Sequence, residues 1–221
     1  MKNIRIERIA DMVKEGMVVA DIGTDHALLP ILLVKNGKSK KVYACDIAEG
    51  PLSIAKENIQ KYGMQENIQT ILSNGFECVP MDTQVAVIAG MGYITASMIF
   101  NQAIERLPSF KQIITEINRN PEDMRQWISD HHYTIDDEAF VHERNHDYAI
   151  ISFTTNYHES YSKEEIELGP ILMQQKDEEY LSFCKTNFNK ISTILEKSNG
   201  KAPQNELLQQ RLEIYQKYLE N

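Results

Sequence analysis

A chain of 221 residues is long enough for one α/β domain of ordinary size plus a small appendage, and 42% hydrophobic with 25% charged residues excludes a disordered or fibrous protein. The formal charge of −9 argues against nucleic acid as a partner, although phosphate binding needs local cations rather than a positive total. Two such groups exist, Lys35, Lys38, Lys40 and Lys41 in one place and Arg119, Arg125 and Arg144 in the second half of the domain. Cys45, Cys78 and Cys184 are far apart, with neither zinc-ligand spacing nor the even number of a disulfide framework. The opening residues lack the apolar core of a signal peptide, and no apolar run approaches the roughly 20 residues that span a bilayer. The expectation is a cytoplasmic protein with no membrane and no metal partner.

In chain order, Ile6, Ile9, Ala10 and Val13 recur at helical spacing, and Gly16 closes that helix. Met17–Ala20 is a short apolar run of the kind buried on both faces of a parallel sheet. A helix is expected from His26 to Asn36, a strand at Lys41–Cys45, and a helix from about Pro51 to Tyr62. Strands follow at Ile68–Leu72 and Val85–Ala89, a helix at Ile94–Arg106, a strand at Gln112–Thr115 and a helix opened by Pro121. Ile135–His142 and Tyr148–Thr154 have no helix-length segment between them and should pair as a terminal hairpin at the sheet edge. This rhythm predicts a seven-stranded doubly wound sheet, an α/β fold of Rossmann-like type, over residues 1–157. Beyond it the pattern changes. Leu181, Cys184, Phe188, Ile191 and Leu195 form one helical stripe and Leu208, Leu212, Tyr215 and Leu219 another, with Gly200 and Pro203 between them. Residues 158–221 therefore read as a small helical, coiled-coil-like hairpin, either packed on the domain or an arm for a large substrate or second subunit.

Ligands of a doubly wound sheet bind outside the carboxyl ends of its strands, so the polar residues there carry the chemistry. After the first strand come Asp21-Ile22-Gly23-Thr24-Asp25-His26, where Gly23 lets backbone approach a ligand and the next helix start offers free amides. Asp46 ends the second strand, placed to accept hydrogen bonds from both hydroxyls of a ribose; Ser73-Asn74-Gly75 follow the third, suited to an adenine edge. Ala89-Gly90-Met91-Gly92 follow the fourth as a flexible turn where a target base could enter. A dinucleotide would call for GxGxxG, of which only Gly23 is present, and Asp25 would repel a pyrophosphate. S-adenosylmethionine has no phosphate and carries cationic ammonium and sulfonium groups, which Asp21 and Asp25 attract. For Asp25 a helix-capping role, and for His26 simple packing at the helix start, stand as the alternatives. Tyr93 either stacks on a base or packs. His131 and His132 lack any matching ligand pattern.

The stretch Ala20-Asp21-Ile22-Gly23-Thr24-Asp25-His26-Ala27-Leu28-Leu29-Pro30, together with Ile88-Ala89-Gly90-Met91-Gly92, closely resembles the bacterial TrmK family, tRNA methyltransferases acting on N1 of adenine 22. Leu168-Gly169-Pro170 and His146-Asp147-Tyr148 share in the resemblance, which runs from about Arg5 to the C-terminus. It implies a class I methyltransferase domain followed by a helical domain, with S-adenosylmethionine as cofactor and tRNA as partner. The chain departs from the family pattern at Tyr93 (a glycine in the family), at Glu116-Ile117-Asn118 (Gln-Pro-Asn), at Asn74 (acidic) and at Asp46 (glutamate). Asp21, Gly23, Asp25, His26, Asp46, Asn74, Gly75, Ala89 and Gly90 are the expected cofactor-contacting residues. Gly90 and Met91, through their backbone, and Asn118 are expected to hold the adenine. A monomer or weak homodimer is expected. Cofactor motifs do not encode the acceptor, so another RNA position, a small molecule, or a non-catalytic S-adenosylmethionine- or RNA-binding protein remain the alternatives.

Overall fold

The computed structural model describes residues 3–198 and 205–220. It divides the chain into two compact units, one ending at Glu159 and one beginning at Ser160. The first unit runs α1 (Ile4–Met12), β1 (Val19–Ile22), α2 (Leu28–Lys35), β2 (Val42–Asp46), α3 (Glu49–Lys61), β3 (Ile68–Leu72), β4 (Val85–Met91), α4 (Tyr93–Gln102), β5 (Gln112–Ile117), α5 (Pro121–Asp130), β6 (Tyr133–Glu143) and β7 (His146–Tyr157). The seven strands form one sheet in the order β3-β2-β1-β4-β5-β7-β6. The first five are parallel, and β7 runs antiparallel to both β5 and β6. Strand order reverses between β1 and β4, so the crevice for a ligand lies outside the carboxyl ends of that pair.

The central strands are covered on both faces: every residue of β1 and β5 is buried, the polar Asp21, Gln112, Thr115 and Glu116 included, as are Val85–Ile88 of β4. Parallel neighbours on either side of the switch point need crossover connections, which by the right-handed rule put helices on opposite faces of the sheet. The hairpin β6–β7 turns through Arg144 and Asn145, both at positive φ (51° and 64°), the backbone of a two-residue turn matched to strand twist. Beneath it Arg125 Nε donates to Glu138 Oε1 at 2.7 Å, and both side chains are almost wholly buried. Arg125 is therefore part of the core and leaves the cationic group that the sequence suggested. Lys38 Nζ donates to the carbonyls of Asp11 and Val13, and Lys41 pairs with Asp82 at 2.7 Å. These lysines precede β2, at the end of the sheet opposite the ligand crevice, and they pin neighbouring loops.

Several boundaries differ from expectation, for local reasons. β1 starts and ends two residues late, which puts Asp21 inside the strand. α2 starts at Leu28 rather than His26 because Asp25 and Ala27 adopt positive φ (50° and 56°), which a helix cannot include. Its cap position is Ala27, without a side-chain cap, so Asp25 is not its N-cap. β4 and β5 each run two residues further than expected, taking Gly90 and Met91 and then Glu116 and Ile117 into the ladder.

In the second unit α6 (Lys163–Leu168) and α7 (Leu172–Gln175) precede two long helices, α8 (Glu178–Ser198) and α9 (Asn205–Glu220). Ser162 opens α6 with a reciprocal capping box to Glu165. Cys184 and Ile191 of the first stripe and Tyr215 of the second are buried; Leu181, Phe188, Leu195, Leu208, Leu212 and Leu219 are half-buried. Arg211 grips Glu167 through two nitrogens at 2.9 and 2.7 Å, tying α9 to α6. The Gly200–Pro203 turn lies outside the described residues.

Candidate active site

The carboxyl ends of β1 and β4 frame a cavity of about 210 Å³ in which Asp21, Gly23, Asp25, His26, Ala89 and Gly90 meet Arg5. Its position follows from the turn after β1. Gly23, at φ 80°, reverses the chain, and the amides of Gly23 and Thr24 both donate to the Cys45 carbonyl at 2.8 and 2.9 Å, drawing the turn onto β2. A Cβ at position 23 would stand 2.3 Å from Met91 Cε, so Gly23 is also the place where the Met91 side chain packs onto backbone. Asp21 is buried, and Thr24 Oγ1 donates to its Oδ2 at 2.7 Å. Burial, with a smaller push from the Asp46 carboxylate, raises its pKa to about 6, against the pull of the Thr24 hydroxyl. Asp25 is exposed, with its carboxylate 3.2 Å from His26 Nε2.

Asp46 joins this group through backbone. Its Oδ1 accepts from Ala48 N–H at 3.0 Å and its Oδ2 from Asp25 N–H at 3.4 Å, which fixes the carboxylate at the edge of the turn. The Ser73 amide donates to the Asp46 carbonyl, so the loop after β3 is carried to the same edge. Within it Ser73 Oγ donates to the Gly75 carbonyl at 2.9 Å, Gly75 takes φ 55° against Ile99, and Asn74 is exposed with its amide on Glu77.

The end of β4 is shaped by a bulge. Ala89 pairs with Glu116 and Met91 with Ile117, leaving Gly90 as the extra residue at φ 76°. Its backbone groups leave the ladder for side chains of β5 and the residue after it: Gly90 N–H donates to Glu116 Oε2 at 3.0 Å, and Asn118 Nδ2 donates to the Gly90 carbonyl at 3.0 Å. Asn118 N–H in turn donates to the Met91 carbonyl. The segment expected as a flexible turn presenting backbone to a base is thus a clamped strand end whose backbone faces β5. Asn118 stays exposed, and its Oδ1 makes no hydrogen bond among the described residues.

Arg5, Thr24 and Glu116 are parts of this site that sequence reasoning did not single out. The signal for Glu116 was present, since a carboxylate in a strand covered on both faces must find a partner. Arg5 offered no signal of its own, because an arginine on an amphipathic helix is ordinary.

A larger groove of about 690 Å³ lies at the opposite end of β2 and β3, lined by residues such as Lys56, Gln65, Asn67 and Thr70. It sits at the amino ends of the strands, away from the switch point where doubly wound sheets bind ligands.

Comparison with known proteins decides the family. Residues 19–218 match the family model of TrmK, tRNA (adenine(22)-N(1))-methyltransferase. The chain belongs to this family. A curated family relative, the tRNA (adenine(22)-N(1))-methyltransferase of Bacillus subtilis, is 30% identical over 148 residues, which cover 66% of this chain and 62% of that protein. The TrmK of M. capricolum, solved with S-adenosyl-homocysteine, superposes with a TM-score of 0.85 at 32% identity, over 100% of this chain and 98% of the other. A Streptococcus pneumoniae protein solved with S-adenosyl-L-methionine gives 0.88 at 28% identity, over 99% and 100%. These full-length superpositions carry the class I methyltransferase fold, with its helical C-terminal part, onto the TrmK-family chain described here.

The donor set fits the amino-acid end of S-adenosylmethionine. Two carboxylates beside a backbone turn suit an ammonium and a sulfonium and repel a phosphate. At 210 Å³ the cavity is smaller than a whole-ligand pocket, and Asp46 and the Ser73–Gly75 loop stand beside it, outside its lining, joined to it by the Asp25 amide.

Proposed function

We propose that this chain transfers a methyl group from S-adenosylmethionine to N1 of adenine 22 in tRNA. The observation that carries the reading is the joining, at one switch point, of an acidic cofactor cavity to a clamped strand end that presents Asn118. Membership of the TrmK family supports the acceptor.

The cofactor supplies an electrophilic methyl group on a sulfonium. Asp21 and Asp25 attract its cationic end, Asp46 accepts from the ribose hydroxyls, and Asn74 and Gly75 meet the adenine edge. His26 orients Asp25. On the acceptor side, adenine N1 has a lone pair at neutral pH, so no base is needed to create a nucleophile. What the reaction needs is a base turned out of its stack and N1 held in line with the donor. Asn118 spends its amide N–H on the Gly90 carbonyl, which leaves Oδ1 to accept from the exocyclic amine beside N1. The Gly90–Met91 segment shapes the opening that the base enters, and Met91 walls it on the cofactor side. The positive charge that develops on the ring is met by the carbonyls and carboxylates of the site. Among the described residues no helix is long and apolar enough to cross a membrane. The reading takes the chain as a cytoplasmic monomer or weak homodimer, which sedimentation checks.

Labelled methyl transfer to an unmodified tRNA, and to the same tRNA with guanine at position 22, tests the reading. Incorporation into the first alone, mapped to N1 of adenine 22, is the expected result. Equal incorporation into both would assign a different RNA position, and none into either would leave a small-molecule acceptor or a non-catalytic binding protein.

A further inference from the structure

Two charged residues unused by that reading stand between the halves of the site. Glu116 sits near the end of β5 with its side chain 0% exposed. Its Oε2 accepts from Arg5 Nη1 at 2.6 Å and from the Gly90 amide at 3.0 Å, while Oε1 is buried with no hydrogen-bond partner among the described residues. A carboxylate so placed is costly unless paired: burial pushes its pKa up, and the Arg5 charge and the Gly90 amide hold it down. Arg5 reaches in from α1, its guanidinium 5.0 Å from the centre of the Tyr148 ring. Through Nη1 alone it is bound to Glu116, so the pair is monodentate and the other N–H groups of the fork are unspent among the described residues. Arg5 lines the cavity that holds Asp21 and Asp25, and is the one permanently cationic residue of that lining.

The amino-acid end of the cofactor carries an ammonium and a carboxylate. Asp21 and Asp25 attract the first and repel the second, which needs a cation within the same small space. We propose that Arg5 receives the cofactor's carboxylate, and that Glu116 is the positioning residue that aims Arg5 while holding the Gly90 amide. One buried carboxylate then ties the amino-acid end of the cofactor to the strand end facing the acceptor base. This inference rests on the S-adenosylmethionine reading above.

The test is calorimetric binding of two ligands, S-adenosyl-homocysteine and 5′-methylthioadenosine, which shares the adenosine and sulfur but lacks the amino-acid end. In Arg5→Met the first ligand is expected to bind about tenfold more weakly and the second within about twofold of wild type. Arg5→Lys keeps the charge and should fall between the two. Glu116→Gln keeps an acceptor for both Arg5 and Gly90 and should remain within about threefold on both ligands. Glu116→Ala should weaken S-adenosyl-homocysteine alone and also lower turnover at saturating cofactor about tenfold, with Gln restoring it. Equal weakening of both ligands by Arg5→Met, or no weakening of either, overturns the role of Arg5. Equal turnover in the Ala and Gln variants at position 116 overturns the positioning role. Thermal denaturation reports whether each variant folds, and if Arg5→Met does not, the Lys variant carries the ligand comparison. Failure of wild type to bind S-adenosyl-homocysteine sinks the cofactor reading itself and this inference with it.

Discussion

The cofactor side and the acceptor side of this site are built differently. On the cofactor side Asp21, Gly23, Asp25 and His26 lie within six consecutive residues, and Asp46 is held by amides of nearby turns. On the acceptor side nothing is local: Gly90 is fixed by Glu116 and Asn118, 26 and 28 residues away, and Glu116 by Arg5, 111 residues away. A turn that presents its own carboxylates tolerates change elsewhere in the chain. A bulge whose peptide groups are held by distant side chains depends on the packing of three elements. Damage to the first side should therefore appear in binding and damage to Asn118 in turnover, while Glu116, which holds both Arg5 and Gly90, should touch both.

The largest effect is expected from Asp46→Ala. Loss of the hydrogen bonds assigned to the ribose, at about 1.5–3 kcal/mol for each bond to a charged group, should weaken S-adenosyl-homocysteine by at least about 100-fold by calorimetry, with little change in melting temperature. Retained affinity would remove Asp46 from the site. Asn118→Ala should act on the other side alone, lowering turnover about tenfold or more while cofactor affinity holds. If affinity fell with it, the two sides would not be separable as argued.

Acidity divides the halves further. Asp21 titrates at about 6 in the free protein because it is buried, and a cationic ligand binds its ionised form. Affinity for S-adenosyl-homocysteine should be flat above about pH 7 and fall towards tenfold per unit below pH 6, and Asp21→Asn should abolish that slope. The stability of the ligand-free protein runs the other way. A carboxyl whose pKa is raised by folding binds its proton more tightly in the native state, so stability from this group is lost as pH rises from about 4 to about 6. Chemical denaturation at pH 4.5 and 6.5, compared between wild type and Asp21→Asn, isolates that contribution. The smallest effect is expected from Gly23→Ala. A left-handed alanine costs roughly 1–2 kcal/mol, and Met91 Cε must move aside, so the melting temperature should drop by a few degrees. An unchanged melting temperature would show that the turn relaxes freely.

The sequence by itself determined the doubly wound class of the sheet, the terminal hairpin and the acidic character of the cofactor turn. These rest on periodicity and on residues that act where they stand: apolar runs covered on both faces, and carboxylates at strand ends. It misjudged the strand ends themselves by two residues, because β1, β4 and β5 continue through polar and glycine positions that propensity alone would exclude. Only the tertiary structure decided what becomes of Arg125, which reads as a surface cation and is a buried partner of Glu138. It also decided the meaning of Gly90 and Glu116. A glycine between a strand and a helix suggests a free turn, and the bulge exists only where β4 meets β5. Glu116 in a central strand announces a buried charge, but its partner lies on a helix 111 residues earlier, and no local pattern links the two. Local order follows from side-chain periodicity along the chain, whereas these contacts arise when the sheet brings distant segments together.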